Sequence, residues 1–372
     1  MRITKVEPIV LRLPDVDTSR ADGTQDAFIV RIHTDEGLVG IGEADTSPYL
    51  ARCVLEMPSS HAIARGLGEL LVGQDPLAIG RLWKLMYDGS SYYGRSGVAL
   101  HVISAVDIAL WDLAGKAAGQ PISTLLGGAR VEALAVYASE VMPGDADGVR
   151  RIAEGAVAAG YTAFKLGWGP LGRDLRTDAL LIEAARDALG PDRLLMIDGG
   201  QAYSVKRAAE LLRRVEGAEL HWLEEPLGPD DYDGYRRLAD QVSTRIAAGE
   251  ADSTIGPFRR LAVEAHVDVL QPDLARCGGF TVARQIAELA RERRVDVVPH
   301  CFSTGILVAA SLHFAAALDW PTLSEFSVAD SPLAGGLLQT PFHLDEGRLT
   351  VPAAPGLGID VDEAMLDRLR IS

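Results

Sequence analysis

Seven ionisable residues recur through the second half of the chain at nearly even intervals: Lys165, Asp198, Glu224, Glu250, Asp273, His300 and Glu325. Successive numbers differ by 33, 26, 26, 23, 27 and 25, about the length of one strand-plus-helix crossover unit. Three of them close short apolar runs, Arg193-Leu-Leu-Met-Ile-Asp198, His221-Trp-Leu-Glu224 and Arg245-Ile-Ala-Ala-Gly-Glu250. Taken singly, each acid would read as a solvated loop charge, and His300 as a core or surface histidine. The shared register reverses that reading. Three carboxylates at consecutive strand ends of a barrel meet at its mouth, repel, and raise one another's pKa. A hard divalent cation removes the conflict, and Mg2+ suits an all-oxygen site that keeps some waters. Asp198, Glu224 and Glu250 are therefore the expected metal ligands.

The other four residues supply proton chemistry. His300 titrates near neutrality and is the expected general base or acid. Asp273, one strand earlier, can accept its second ring N–H and fix the tautomer. Lys165, about half the barrel away, is either a base whose pKa the cation lowers or a positive partner for an anionic substrate. Glu325, if protonated, can donate to the oxygen that the metal binds. A divalent ion facing a Lys and a His suits removal of a proton from the carbon beside a carboxylate. There the barrier is set by developing enediolate charge.

These residues need a scaffold that brings strand ends together. Strand-like runs fall at 133–137, 161–166, 194–197, 220–223, 246–248, 267–270, 295–298 and 322–326, with amphipathic helical patterns such as 204–215 and 280–293 between them. Eight strands alternating with helices predict a parallel α/β barrel. An open doubly wound sheet is the alternative, but no GxGxxG follows the first strand. Upstream, residues 1–45 alternate apolar and polar with a turn at Thr34-Asp-Glu-Gly37, and 48–126 turn helical, closing at Gly127 and Gly128. This predicts an α+β domain over 1–128, a barrel over 129–330, and a tail over 331–372 whose strands return to the first domain. The polar stretch 15–26 is a candidate mobile loop.

Composition narrows the class. A chain of 372 residues that is 48% hydrophobic and 24% charged exceeds one ordinary domain and is not disordered. The net charge of −16, without a basic block, argues against nucleic acid and an anionic membrane surface. The N-terminus lacks a signal-peptide core, and the apolar window 306–318 is shorter than a bilayer span. Cys53, Cys277 and Cys301 form no CxxC pair, which suits structural thiols in a reducing cytoplasm.

The motifs Ile197-Asp198-Gly-Gly-Gln, Trp222-Leu-Glu224-Glu-Pro226, Gly249-Glu250, Gln271-Pro-Asp273 with Gly278-Gly279, Pro299-His300 and Ser324-Glu325-Phe326 resemble the enolase superfamily, mandelate racemase subgroup. In the first domain, Ser104 to Lys116 and Leu126-Gly-Gly resemble it too, so the likeness covers nearly the whole chain. It implies a modified (β/α)7β TIM-like barrel under an α+β capping domain, Mg2+ as cofactor, and specificity loops near 19–26 and 92–96. Arg20, Tyr92 and Arg95 are candidate substrate contacts in those loops, and Arg276 beside Asp273 reads as a structural ion pair. One departure stands out. Where the family places Lys-x-Lys, this chain has Lys165-Leu-Gly167. A single base, His300, suffices for dehydration, so the pattern resembles the acid-sugar dehydratases that turn aldonates or aldarates into 2-keto-3-deoxy acids. The alternatives are a racemase or epimerase using Lys165 as second base, or a non-enzymatic, metal-stabilised binding barrel. The expected partners are a small anionic sugar acid and further copies of the chain.

Overall fold

The computed structural model describes residues 1–19 and 22–371. The N-terminal part begins with an antiparallel sheet of β1 (Ile3–Arg12), β2 (Asp26–Thr34) and β3 (Val39–Ala44). Five helices follow: α1 (Pro48–Glu56), α2 (Leu67–Leu71), α3 (Ile79–Gly89), α4 (Val98–Ala118) and α5 (Ile122–Leu125). The chain then alternates β4 (Ala133–Val141), α6 (Ala146–Ala158), β5 (Ala163–Gly167), α7 (Leu175–Leu189), β6 (Leu194–Asp198), α8 (Val205–Arg214), β7 (Trp222–Glu224) and α9 (Tyr232–Ala239). It continues through β8 (Ile246–Ala248), α10 (Ile255–Val263), β9 (Val269–Leu270), α11 (Gly279–Arg293), β10 (Asp296–Val297), α12 (Gly305–Ala316) and β11 (Ser324–Ser327). The tail adds α13 (Pro332–Gly336), β12 (Leu344–Asp345), β13 (Arg348–Thr350), α14 (Glu363–Leu369) and β14 (Arg370–Ile371).

Strands β4 to β10 pair in sequence order, all parallel, and β11 pairs parallel with β4. Every residue of β5, β7 and β8 is buried, as expected of parallel strands covered on both faces. Among the described residues β10 and β11 share no ladder. Hydrogen bonds cross that seam instead: Thr322 Oγ1 donates to Val297 O at 2.5 Å, and Cys301 N donates to Glu325 Oε2 at 2.8 Å. Aspartates that precede helices stop the loops cleanly. Asp145, Asp174 and Asp231 accept from the backbone N–H three residues on, capping α6, α7 and α9.

The tail divides its pairing. Its strand β13 runs antiparallel to β4 of the barrel, and only β14 adds to the first sheet, on β1. The tail, expected to return to the first domain, also meets it outside β14, where Gly356 O accepts from Ile122 N and Leu357 N donates to Asp112 Oδ1 at 2.8 Å. Cys277 and Cys301 are buried, but Cys53 is exposed on α1 and is not a packed thiol. Helix α4 is long and apolar enough to cross a membrane, yet 83% of its apolar window is buried in protein, so it is a core helix. Strand β3 lies directly on it. A Cβ at Gly42 would sit 2.0 Å from Ala105 O, so only glycine allows that approach.

The capping domain grips the barrel through carboxylates placed at barrel-helix N-termini. Glu43 of β3, fully buried, accepts from Ser303 Oγ (2.6 Å), Thr304 Oγ1 (2.7 Å), Thr304 N (3.2 Å) and Leu307 N (3.0 Å) at the start of α12. Asp107 of α4 accepts from Thr281 N at 3.0 Å and Thr281 Oγ1 at 2.5 Å in the first turn of α11. Backbone donors at a helix start are unpaired within the helix, and its dipole favours negative charge there. Burial pushes Glu43 up to about 7, against the donors around it. Glu43→Gln replaces an acceptor oxygen by an NH2 group and leaves a buried donor unpaired. At pH 8 it is expected to cost about 1–3 kcal/mol by urea denaturation. An unchanged midpoint would remove Glu43 from the interface account.

Candidate active site

The seven residues in register converge on one end of the barrel, but not at one depth. Asp198 and Glu224 are the last residues of β6 and β7 and are paired neighbours in the ladder. Glu250 lies two residues past β8, while Asp273 and His300 lie three past β9 and β10 and form a parallel bridge. Lys165 pairs in register with Met196, two residues short of Asp198, and Glu325 is the second residue of β11. Those two sit a layer deeper, within their strands rather than at the ends. A cavity of about 340 Å³ opens above them, and Lys165, Asp198, Glu250, His300 and Glu325 all reach it.

Asp198, Glu224 and Glu250 each offer an oxygen within 4.8 Å of the others, and all three are buried. Each is oriented by neighbours. Asp198 accepts from Trp168 Nε1 (2.9 Å) and Gly200 N (2.9 Å), and Glu224 Oε2 accepts from Trp222 Nε1 (3.0 Å) and Gln271 Nε2 (2.6 Å). Glu250 Oε2 is buried without a well-directed hydrogen bond, although His300 Nε2 lies 3.2 Å away. Burial, together with the charges of Glu224 and Glu250, pushes Asp198 far above the usual carboxylate range. Burial, opposed by His300, pushes Glu250 up to about 7. Three hard oxygen donors in mutual conflict, one with an unsatisfied oxygen, fit a divalent metal ion. A second trio, Asp45, Asp273 and His300, meets the same distance test. There the Arg276 guanidinium already supplies positive charge, 2.6 Å from Asp45 Oδ2 and 3.9 Å from Asp273 Oδ2.

His300 Nδ1 lies 2.7 Å from Asp273 Oδ2, and Asp273 Oδ1 accepts from Ala275 N at 2.6 Å. The carboxylate is therefore fixed, and it turns His300 Nε2 toward the cavity. Burial would lower the imidazole's pKa, but Glu250, Glu325 and Asp273 hold it up at about 10. On the other wall Lys165 Nζ is 2.5 Å from Glu224 Oε1 and 2.8 Å from Glu325 Oε1. Burial opposes its charge, yet those two carboxylates outweigh it and keep the ammonium well above its ordinary pKa. Glu325 was expected to donate if protonated. Against burial, Lys165 and His300 hold it down at about 2, and it accepts from Cys301 N. In this arrangement it lies 2.8 Å from the Lys165 ammonium and anchors it.

Gly167 stands where a second lysine was considered. A Cβ there would lie 2.3 Å from Asp198 Cβ, so any side chain would displace that acid. Tyr92 and Arg95 are corrections as well. Tyr92 is 74% exposed against His61, Arg95 is exposed, and neither reaches the cavity. Their segment is tied away from it by Tyr93 Oη, which donates to Arg65 O at 2.6 Å. Arg20 lies outside the described residues. From its loop Gly23 does line the cavity, beside Phe302. Trp168 and Phe302 also line it and were not anticipated from sequence. Trp168 carried the only readable signal, an aromatic three residues after Lys165 behind a glycine.

Comparison with known proteins agrees over both parts. A mandelate racemase / muconate lactonizing enzyme N-terminal domain model matches residues 2–127, and an enolase C-terminal domain-like model matches 148–365. D-galactarolactone cycloisomerase of Agrobacterium fabrum is 34% identical over 358 residues, covering 92% of this chain and 91% of its own length. Arabinonate dehydratase of Saccharolobus solfataricus is 30% identical over 354 residues, covering 94% and 92%. Among solved structures, the 3,6-anhydro-D-galactonate cycloisomerase from Zobellia galactanivorans superposes with TM-score 0.90 at 34% identity over 100% of both chains. A racemase from Streptomyces coelicolor A3(2) with bound magnesium gives 0.88 at 28% identity, over 99% of this chain and 100% of that one. This chain is thus an enzyme of the enolase superfamily, in its mandelate racemase branch.

Proposed function

We propose that the enzyme is an acid-sugar lyase, a dehydratase that removes the proton beside a carboxylate and eliminates the β-hydroxyl to leave a 2-keto-3-deoxy acid. The observation that carries this reading is the single base. His300 Nε2 faces the cavity, Asp273 holds Nδ1, and the position across from it is Gly167, which has no room for a side chain. Asp198, Glu224 and Glu250 would hold Mg2+. When bound, the ion polarises the substrate carboxylate and stabilises the charge that develops on it. Lys165, fixed between Glu224 and Glu325, offers a permanent positive charge to the same carboxylate.

The steps balance without a co-reactant. His300 Nε2 takes the C2 proton, the C2–H electrons form the C2–C3 double bond, and the C3–O electrons leave with oxygen. The same imidazolium returns its proton to that oxygen, releasing water. The enol then becomes the keto acid. A second reading has support in the two cycloisomerases among the relatives. If C3 carries a ring oxygen, the same elimination opens the ring and nothing departs. Racemisation needs a second base on the opposite wall, where Lys165 is tied between Glu224 and Glu325.

Mass spectrometry and NMR in D2O over an acid-sugar panel, including lactones and anhydro acids, separate the three. Dehydration gives a keto acid that has lost one water and carries deuterium at C3. Ring opening gives a keto acid that keeps every heavy atom of the substrate and likewise carries deuterium at C3. Recovered substrate labelled at C2 in both configurations, with no keto acid, would overturn the lyase reading.

A further inference from the structure

The barrel has a second cavity at its other end, where the strands begin. It measures about 570 Å³, larger than the 340 Å³ of the catalytic mouth. Ala133, Leu194 and Trp222, the first residues of β4, β6 and β7, form part of its wall. Leu134, Val298 and Leu323 add apolar surface. Three arginines from separate segments, Arg130, Arg245 and Arg348, line the same space, against one acid, Asp296.

The polar groups there are unevenly matched. Arg245 pairs with Asp296 and lies 3.2 Å from His221 Nε2, so that acid is already committed. Arg130 meets only the backbone oxygen of Asp319, and Arg348 only that of Ala133, at 3.3 Å. Neither has a carboxylate partner among the described residues, in a chain where acids outnumber Lys and Arg by 52 to 36. Trp320 Nε1 lines the cavity as a buried donor without an acceptor. The Thr322 hydroxyl is spent on Val297 O. What remains is a set of donors and two free positive charges around an apolar wall. A neutral polyol would find too few acceptors, and a purely apolar ligand would leave the donors unpaired.

We propose that this cavity binds a small organic carboxylate with an apolar body, its charge at Arg130 and Arg348 and its body against Leu134, Leu323 and the two indoles. The catalytic mouth is not involved, so the reading stands apart from the reaction assigned above. Trp222 and Trp320 make occupancy visible, since two of the five tryptophans line the space.

The test is a titration of the protein with phenylacetate in EDTA, which removes any contribution of a metal at the catalytic mouth, while the variants below assign the binding to the second cavity. Calorimetry and tryptophan fluorescence are the readouts. One equivalent is expected to bind with a change in emission. Arg130→Ala combined with Arg348→Ala, both at exposed positions, is expected to weaken binding by at least about tenfold, as is Ala133→Phe, which fills the space. Acetate, which has the charge without the ring, is expected to bind about tenfold more weakly still. No binding, or binding unchanged in both variants, overturns the site. Equal affinity for acetate overturns the apolar-bodied ligand.

Discussion

His300→Asn is expected to lower turnover of the active acid sugar by about two to four orders of magnitude, the contribution of one positioned general base. Asparagine keeps a polar group beside Asp273 but has no basic nitrogen to receive a C2 proton. The affinity for Mg2+, measured by calorimetry on the same variant, is expected to stay within about threefold, since His300 is not a ligand in this account. The pairing of the two results is what tests the role. Substantial residual dehydration would falsify the assignment and transfer the base to Lys165. A parallel collapse of Mg2+ binding would instead make His300 a ligand.

The second large effect is on the metal itself. Wild-type protein is expected to gain thermal stability with Mg2+, by about 2.7 kcal/mol at a hundredfold excess over Kd. Relief of the conflict among Asp198, Glu224 and Glu250 is the local source. Glu224→Gln is expected to weaken Mg2+ binding by about a hundredfold or more, beyond what loss of an outer partner produces. The one amide oxygen can serve either Lys165 or the Trp222–Gln271 pair but not both, so a loss of about 1–3 kcal/mol of stability is expected beside the loss of affinity. Calorimetry reads the affinity and differential scanning fluorimetry the thermal gain. Unchanged affinity would strike Glu224 from the ligand set, and the gain would then need another source.

How much of this was legible follows from distance along the chain. The register of acids could be read because each strand-helix unit spends a similar number of residues, so strand ends recur on a near-constant period. Depth was harder. Lys165 and Glu325 share the period but sit inside their strands, and no spacing distinguishes an end from a position two residues short of it. That displacement places them within reach of each other, 2.8 Å from Nζ to Oε1.

The cap–barrel contacts had no sequence signature at all. Glu43 meets partners 260 to 264 residues away, and Asp107 meets one 174 away, so neither resembles a local helix cap. Tyr92 and Arg95 fit a loop expectation, but the anchor that turns their loop aside, Tyr93 to Arg65, is itself tertiary. The tail's short strands can pair with either sheet, and β13 takes the start of β4 while β14 takes β1.

The carboxylates that reach from the cap into the starts of α11 and α12 tie the two lobes into one thermodynamic body. Those helices follow the loops that bear Asp273 and His300, so parting the lobes would strip both loops of their anchors. Melting is therefore expected as a single calorimetric event, with equal van't Hoff and measured enthalpies, and the dyad intact until the whole chain gives way.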